Sequence, residues 1–184
     1  QLEIFKNKKV LITGHTGFKG TWLCLWLTLL GAEVAGFSNK QKTRPSLFEI
    51  LKLKKKIKSY EGDVSKFTEI KQSIKKFQPE IIFHLAAQAL VKESYKNPIK
   101  TFQSNSLGTL NLLLACKQSK KLKAIVMITS DKVYKNLEIK RGYRENDILM
   151  GSDPYSASKS CAEIIINMYL KSYFRKNINI CVAR

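Results

Sequence analysis

Short apolar runs rich in β-branched residues recur along the chain at residues 10–13, 33–37, 57–61, 81–85, 124–128 and 178–183. Each is the length of a strand. Between them lie longer stretches in which apolar residues return every three to four positions, at 18–30, 67–77, 99–118 and 154–174, the spacing of helices. Ser65 ahead of the second, Pro98 opening the third, and Asp153 followed by Pro154 at the fourth supply the expected start signals.

Continuous apolar strands alternating with helices predict a parallel sheet covered on both faces, because parallel neighbours need a crossover to bring the chain back. The expected fold class is α/β, a doubly wound, Rossmann-like parallel sheet in three αβα layers. No internal repeat, low-complexity tract or Pro/Gly-rich linker divides it, so residues 1–184 read as one domain. Two longer irregular stretches, 38–45 and 135–153, fall after strands, where ligand-contacting loops of such sheets lie.

Composition narrows the classes. The net charge of +19, from 33 basic and 14 acidic residues, raises nucleic acid or an anionic partner. The lysines are dispersed, however, over 52–58, 71–76 and 117–123 with no aromatic stripe between them, which reads as solvated faces and no nucleic-acid role. Cys24, Cys116, Cys161 and Cys181 stand far apart, and only His15 and His84 are available to join them. No metal site, no disulfide framework and a reducing, cytoplasmic setting are expected. The run WLCLWLTLL could pass for part of a signal peptide, but Gly14, Gly17, Lys19 and Gly20 interrupt the approach to it, and the apolar run is too short to span a bilayer.

VLITGHTGFKGTW places Gly14, Gly17 and Gly20 where the first strand meets the first helix. The spacing is G-x-x-G-x-x-G. Glycines there let the backbone turn sharply and approach a pyrophosphate, whose charge is favoured at the positive end of the helix. The acid that often holds the adenosine ribose at the end of a second strand is missing: Gly36, Phe37, Ser38 and Asn39 stand there, followed by Lys40, Lys42 and Arg44. Charge alone leaves NAD and NADP both open. Asp63, after the third strand, suits an adenine amino group and equally a turn before Ser65.

ITSDKVY closes the fifth apolar run with a carboxylate and an ammonium side by side, Asp131 and Lys132. Farther on, DPYSASKSCAEI sets Tyr155 and Lys159 four apart on one helix face. A lysine ammonium near a phenol stabilises the phenolate, which is how tyrosine serves as a base near neutral pH. Together with the glycine turn and HLAAQ at 84–88, this pair resembles the extended short-chain dehydrogenase/reductase superfamily. ITGHTGFKGTWL, PSLFEI, HLAAQALVKESYKNPIKTF, ITSDKVY, GYRENDILMGSDPYSASK and SCAE, in that order, resemble CDP-glucose 4,6-dehydratases over essentially the whole chain.

The resemblance implies a tightly held NAD and CDP-glucose as substrate. It places cofactor contacts at Gly14, Thr16, Gly17, Phe18, Lys19 and Gly20, then at Asp63 and Val64. Leu85, Ala86, Ala87 and Gln88 follow, with Asn105, Tyr155 and Lys159. Tyr155 would take the proton from the sugar 4-hydroxyl, with Ser130 or Thr129 bonded to the same oxygen. Asp131 as acid and Lys132 as base would then remove water across C5 and C6, where related dTDP- and GDP-sugar dehydratases carry glutamate in place of Lys132. Both roles call for burial, which raises a carboxyl pKa and lowers an amine pKa. Asn105 is expected either to tie its helix to the cofactor loop or to sit on the surface. Arg141 and Arg144 are expected either to meet substrate phosphate or to pair with Glu145. Family members extend beyond the sixth strand into a sugar-binding lobe, so this chain reads as the cofactor-binding part of a longer enzyme that pairs as a homodimer through the helices at 99–118 and 154–174. Another NAD-dependent nucleotide-sugar epimerase or reductase of the same superfamily, and a non-catalytic nucleotide-binding module, are the alternatives.

Overall fold

The computed structural model describes residues 2–40, 44–117, 119–173 and 178–184. Six parallel strands form one sheet in the order β3-β2-β1-β4-β5-β6. Their ranges are β1 Lys9–Thr13, β2 Glu33–Ser38, β3 Lys58–Glu61, β4 Ile81–His84, β5 Ala124–Ile128 and β6 Asn179–Ala183. All six expected strands are present, within a residue or so at each end. The order reverses between β1 and β4, so their carboxyl ends diverge and open a crevice there, the usual ligand position in such sheets.

Burial on both faces explains the unbroken apolar strands. In β1, Val10 and Ile12 pack with Cys24 and Leu27 of α1 (Phe18–Leu29) and with Phe48 of α2 (Leu47–Ile50). Leu11, facing the other way, joins a layer with Ile70 and Ile74 of α3 (Phe67–Phe77) and Leu112 of a later helix. Leu11 and Ile12 are both fully buried. Each stabilises the sheet by roughly 1.5–3 kcal/mol, and a charge at either would break one of the two layers.

Past β4 come α4 (Val91–Lys96) and α5 (Pro98–Phe102), with Pro98 at the expected first position. The helix expected over 99–118 is interrupted: Gln103–Leu107 forms a π-helical turn before α6 (Gly108–Cys116). The last long helix, α7 (Pro154–Ser172), is capped by Asp153, whose carboxylate accepts the amides of Tyr155 and Ser156. The expected helix ends at Gln118 and Phe174, and Lys42 in the segment after β2, lie outside the described residues.

The start signal read at Ser65 is a correction. Lys66 occupies the cap of α3 with no side-chain bond, and Asp63 organises the turn, its Oδ1 accepting both the amide and the hydroxyl of Ser65 at 2.8 Å. The short helices α2 and α4 escaped the periodic reading because each buries a single residue, Phe48 and Ser94.

The irregular stretch 135–153 is tethered to the body of the fold. Tyr134 and Leu149 form an isolated antiparallel bridge, and Tyr143 stacks on Tyr134 with ring centroids 5.0 Å apart. The Arg184 guanidinium lies 4.8 Å from the Tyr134 ring centre and pairs with buried Glu163 of α7.

Candidate active site

A cavity of about 640 Å³ opens at the carboxyl ends of the strands. Its floor is the glycine turn. Gly14 is left-handed, at φ 73°, and a methyl group there would stand 2.8 Å from the Ala86 nitrogen. A methyl on Gly20 would stand 2.2 Å from the Gly14 carbonyl oxygen. Only glycine lets the turn, the helix and the loop after β4 meet so closely. Gly17 caps α1 with no side-chain bond, which leaves first-turn amides open to an anion at the positive end of the helix.

Thr16, Phe18 and Lys19 line the cavity with these glycines. Val64 lines it from the end of β3, Leu85, Ala86 and Ala87 from the end of β4, and Tyr155 and Lys159 from α7. Twelve of the eighteen site residues expected from sequence are thus gathered in one cavity, namely these nine and the three glycines.

Sequence reasoning missed Gly62, Ala89, Ser104 and Ile128 in the lining. Gly62 carries a signal in hindsight, since a methyl there would meet the Phe37 ring at 2.6 Å. Ser104 sits on the π-helical turn, which a 3.6-residue period cannot reveal. At the end of β2 the lining residues are Ser38, Asn39 and Lys40. The Ser38 and Thr16 hydroxyls bond each other at 2.9 Å. Asp63 turns aside to Ser65, with its other oxygen 3.5 Å from the Asn39 amide nitrogen.

His15 does not line the cavity. It is 1% exposed, its Nε2 is 2.8 Å from the Ser59 hydroxyl, and its Nδ1 is buried without a partner. The ring fills the space above Gly36, where a methyl group would come within 2.1 Å of it. Burial pushes its pKa down to about 4, so the ring is neutral.

Asn105 and Gln88 hold the loop after β4. Asn105 Oδ1 accepts the Gln88 amide at 2.8 Å, and its Nδ2 donates to the Gln88 carbonyl at 3.0 Å and to the Ser158 hydroxyl at 2.9 Å. Of the two expectations for Asn105, the tie between helix and loop is the one observed; the surface position is not, since the residue is 1% exposed. The Gln88 side chain points back along its own loop, to the backbone of Leu90 and the hydroxyl of Thr101.

Lys159 is 6% exposed, and its ammonium donates to the Ile128 carbonyl at 3.1 Å at the end of β5. Burial lowers its pKa to about 8. Thr129 also lines the cavity, but its hydroxyl is given to Glu163 at 2.7 Å. Ser130 caps the 3-10 turn Asp131–Val133, accepting the Lys132 amide at 3.2 Å and donating to Asp131 Oδ1 at 3.1 Å.

The burial expected for Asp131 and Lys132 is not found. Both are exposed, on a turn whose inward residue is Val133, and no described residue covers them. Arg141 also departs from expectation, forking onto Asp147 with nitrogen–oxygen distances of 2.7 and 2.8 Å, two residues past Glu145. That guanidinium, helped by the Arg144 amide, holds the Asp147 carboxyl down at about 2.

The turn, cavity and tyrosine–lysine helix recur in known proteins. Residues 11–183 match the GDP-mannose 4,6 dehydratase family. The CDP-glucose 4,6-dehydratase of Salmonella typhimurium is 50% identical over 170 residues, 92% of this chain and 47% of that relative. The CDP-paratose 2-epimerase of Salmonella typhi is 30% identical over 91% of this chain and 53% of its own length. Among solved structures, the UDP-glucose 4-epimerase of Thermus thermophilus in complex with NAD superposes with a TM-score of 0.82 at 29% identity, covering 96% of this chain and 54% of that one. The chain spans about half the length of these relatives. With the family match running through all but the ends of its sheet, the chain belongs to the GDP-mannose 4,6-dehydratase family.

Proposed function

We propose that this chain is the cofactor-binding half of an NAD-dependent nucleotide-sugar 4,6-dehydratase that converts CDP-glucose to CDP-4-keto-6-deoxyglucose and water. The observation that carries the reading is that Tyr155 and Lys159 line the same cavity as the Gly14–Gly20 turn. NAD fits that turn: two glycines without room for a methyl group and an open helix start leave backbone amides free for a pyrophosphate. The hydroxyls of Thr16 and Ser38 and the amide of Asn39 would take the adenosine ribose, in place of the usual acid. When bound, NAD supplies the hydride acceptor for C4 and the hydride returned to C6.

Tyr155 takes the 4-hydroxyl proton, with Lys159 near it keeping positive charge beside the oxygen. Both hydroxyls already donate, Thr129 to buried Glu163 at 2.7 Å and Ser130 to exposed Asp131 at 3.1 Å; Ser130 is the better hydroxyl for the same substrate oxygen because its longer, solvent-exposed bond is the easier one to exchange. The resulting ketone acidifies C5–H. Lys132 takes that proton and Asp131 protonates the departing 6-hydroxyl, two transfers on adjacent carbons by adjacent residues, and Lys132 gives its proton back to C5 as C6 is reduced. In a full-length protein, a sugar-binding lobe built from the length that the relatives have beyond this match would exclude water from this turn. The free cysteines, two of them buried, support a cytoplasmic setting. An apolar patch on α5, the π-helical turn, α6 and α7, including exposed Ile99 and Leu107, supports a homodimer.

The test is to incubate the full-length protein with CDP-glucose and NAD and weigh the sugar nucleotide. Loss of one water is expected; an unchanged mass rejects the reading. Epimerisation is the second reading, favoured by the Thermus superposition. Lys132→Ala separates the two, since a 4-epimerase takes no proton from C5 and would keep its turnover.

A further inference from the structure

His84, the last residue of β4, is buried and outside the chemistry proposed above, yet it connects three elements of the site. Its Nδ1 is 2.7 Å from the Thr13 hydroxyl at the end of β1, and its Nε2 a long 3.5 Å from the Thr109 hydroxyl on α6. The hydrogen assignments follow from the neighbours. Thr109 gives its hydrogen to the Asn105 carbonyl at 2.8 Å, so it can only accept from the ring, and Nε2 carries the proton. Nδ1 is then bare and takes the Thr13 hydrogen, while the Thr13 oxygen accepts the amide of Ala86 at 3.1 Å. Burial, with the charge of Lys159 adding to it, pushes the ring down to about 3, which keeps this neutral form in place.

The chain of bonds ends on the loop after β4 at both of its limits. Thr13 holds Ala86, and Asn105, whose backbone Thr109 engages, holds Gln88 by both its amide and its carbonyl. Leu85, Ala86 and Ala87, at and beside those points, form one wall of the cavity, and Gly14 packs against Leu85 and Ala86. A free loop of this length would lose conformational entropy on meeting a ligand; a loop already gripped at both ends does not.

We propose that His84 is a positioning residue for the dinucleotide, fixing the wall of Leu85, Ala86 and Ala87 through Thr13 and Thr109 before ligand arrives. The proposal rests on the reading of the cavity as an NAD site.

The experiment is a double-mutant cycle on NAD affinity, measured by calorimetry on the chain, with thermal unfolding recorded alongside. Thr13→Val removes the hydroxyl at nearly constant volume and should weaken NAD about tenfold, the consequence of one half-buried amide left without its partner and free to turn away. His84→Leu should weaken it to a similar degree. The double variant should be little worse than either single one, because both break the same chain of bonds. Thr13→Ser, which restores the hydroxyl, should bind within about twofold of wild type.

Should His84→Leu fail to fold, the Thr13→Val and Thr13→Ser pair decides alone. If Thr13→Val keeps wild-type NAD affinity and only melts earlier, the network is packing and the positioning role is overturned. Fully additive losses in the cycle overturn it too. A wild-type chain that does not bind NAD is a different result, which removes the cavity reading and this role together.

Discussion

Lys159 carries a cost that can be measured. Its folded pKa of about 8 lies below the unfolded value near 10.4. Between those values the unfolded chain holds the extra proton, so stability rises with pH across that window, and below pH 8 the whole penalty for burying the cation is present. Lys159→Met should therefore unfold at higher urea than wild type at pH 7, by at most about 3 kcal/mol, with the gap narrowing by pH 10. A gap that stays constant with pH would show that the ammonium is not desolvated as described. The residue lines the cavity that Tyr155 also lines. That pair was legible in the sequence because a spacing of four fixes a shared helix face. The surroundings of Asp131 and Lys132 were not: which way a one-turn segment faces depends on what covers it, and local sequence carries no record of that. Arg141 was misread for a related reason, since Asp147 and Glu145 are both within reach along the chain and only the fold of the loop chooses between them.

At the scale of elements, caps matter more than length. Asp153 accepts the amides of Tyr155 and Ser156 and also bonds the Ser156 hydroxyl, so the start of α7 and the place of Tyr155 depend on one carboxylate. Asp153→Ala should cost about 1 kcal/mol in chemical denaturation. An unchanged midpoint would mean that the helix start is held by packing instead. This cap was legible because Asp-Pro is a strong start signal, whereas Ser65 misled because Asp63, two residues earlier, competes for the same turn. The π-helical turn was invisible for a deeper reason. It holds one apolar residue, Leu107, five positions after Phe102, and a single interval of five among threes and fours does not by itself mark a turn with an extra residue. That turn lets Asn105 reach Gln88 and Ser158 while Ser106 bonds the Ser158 carbonyl at 2.9 Å.

For the whole molecule, alternating apolar runs and helices were enough to predict the sheet, because each strand is sealed on both sides and reads as unbroken. Strand order did not follow from that pattern, since a crossover of given length can return the chain to either side of its strand. The β1–β4 reversal that sets the crevice is visible only in the fold. Pairing of two chains through the patch containing Ile99 and Leu107 predicts twice the chain mass in sedimentation, and Leu107→Asp should return it to a single chain; a monomer in both cases sinks the pairing. The ring of His15 links the glycine turn to β2 and β3 at once, over Gly36 and against Ser59. Those three positions therefore cannot drift independently. An alanine at 36 is sterically barred while the imidazole is present, so any lineage that fills position 36 must first have shrunk position 15, and a lineage that has taken the larger residue at 36 cannot regain the histidine without undoing that step.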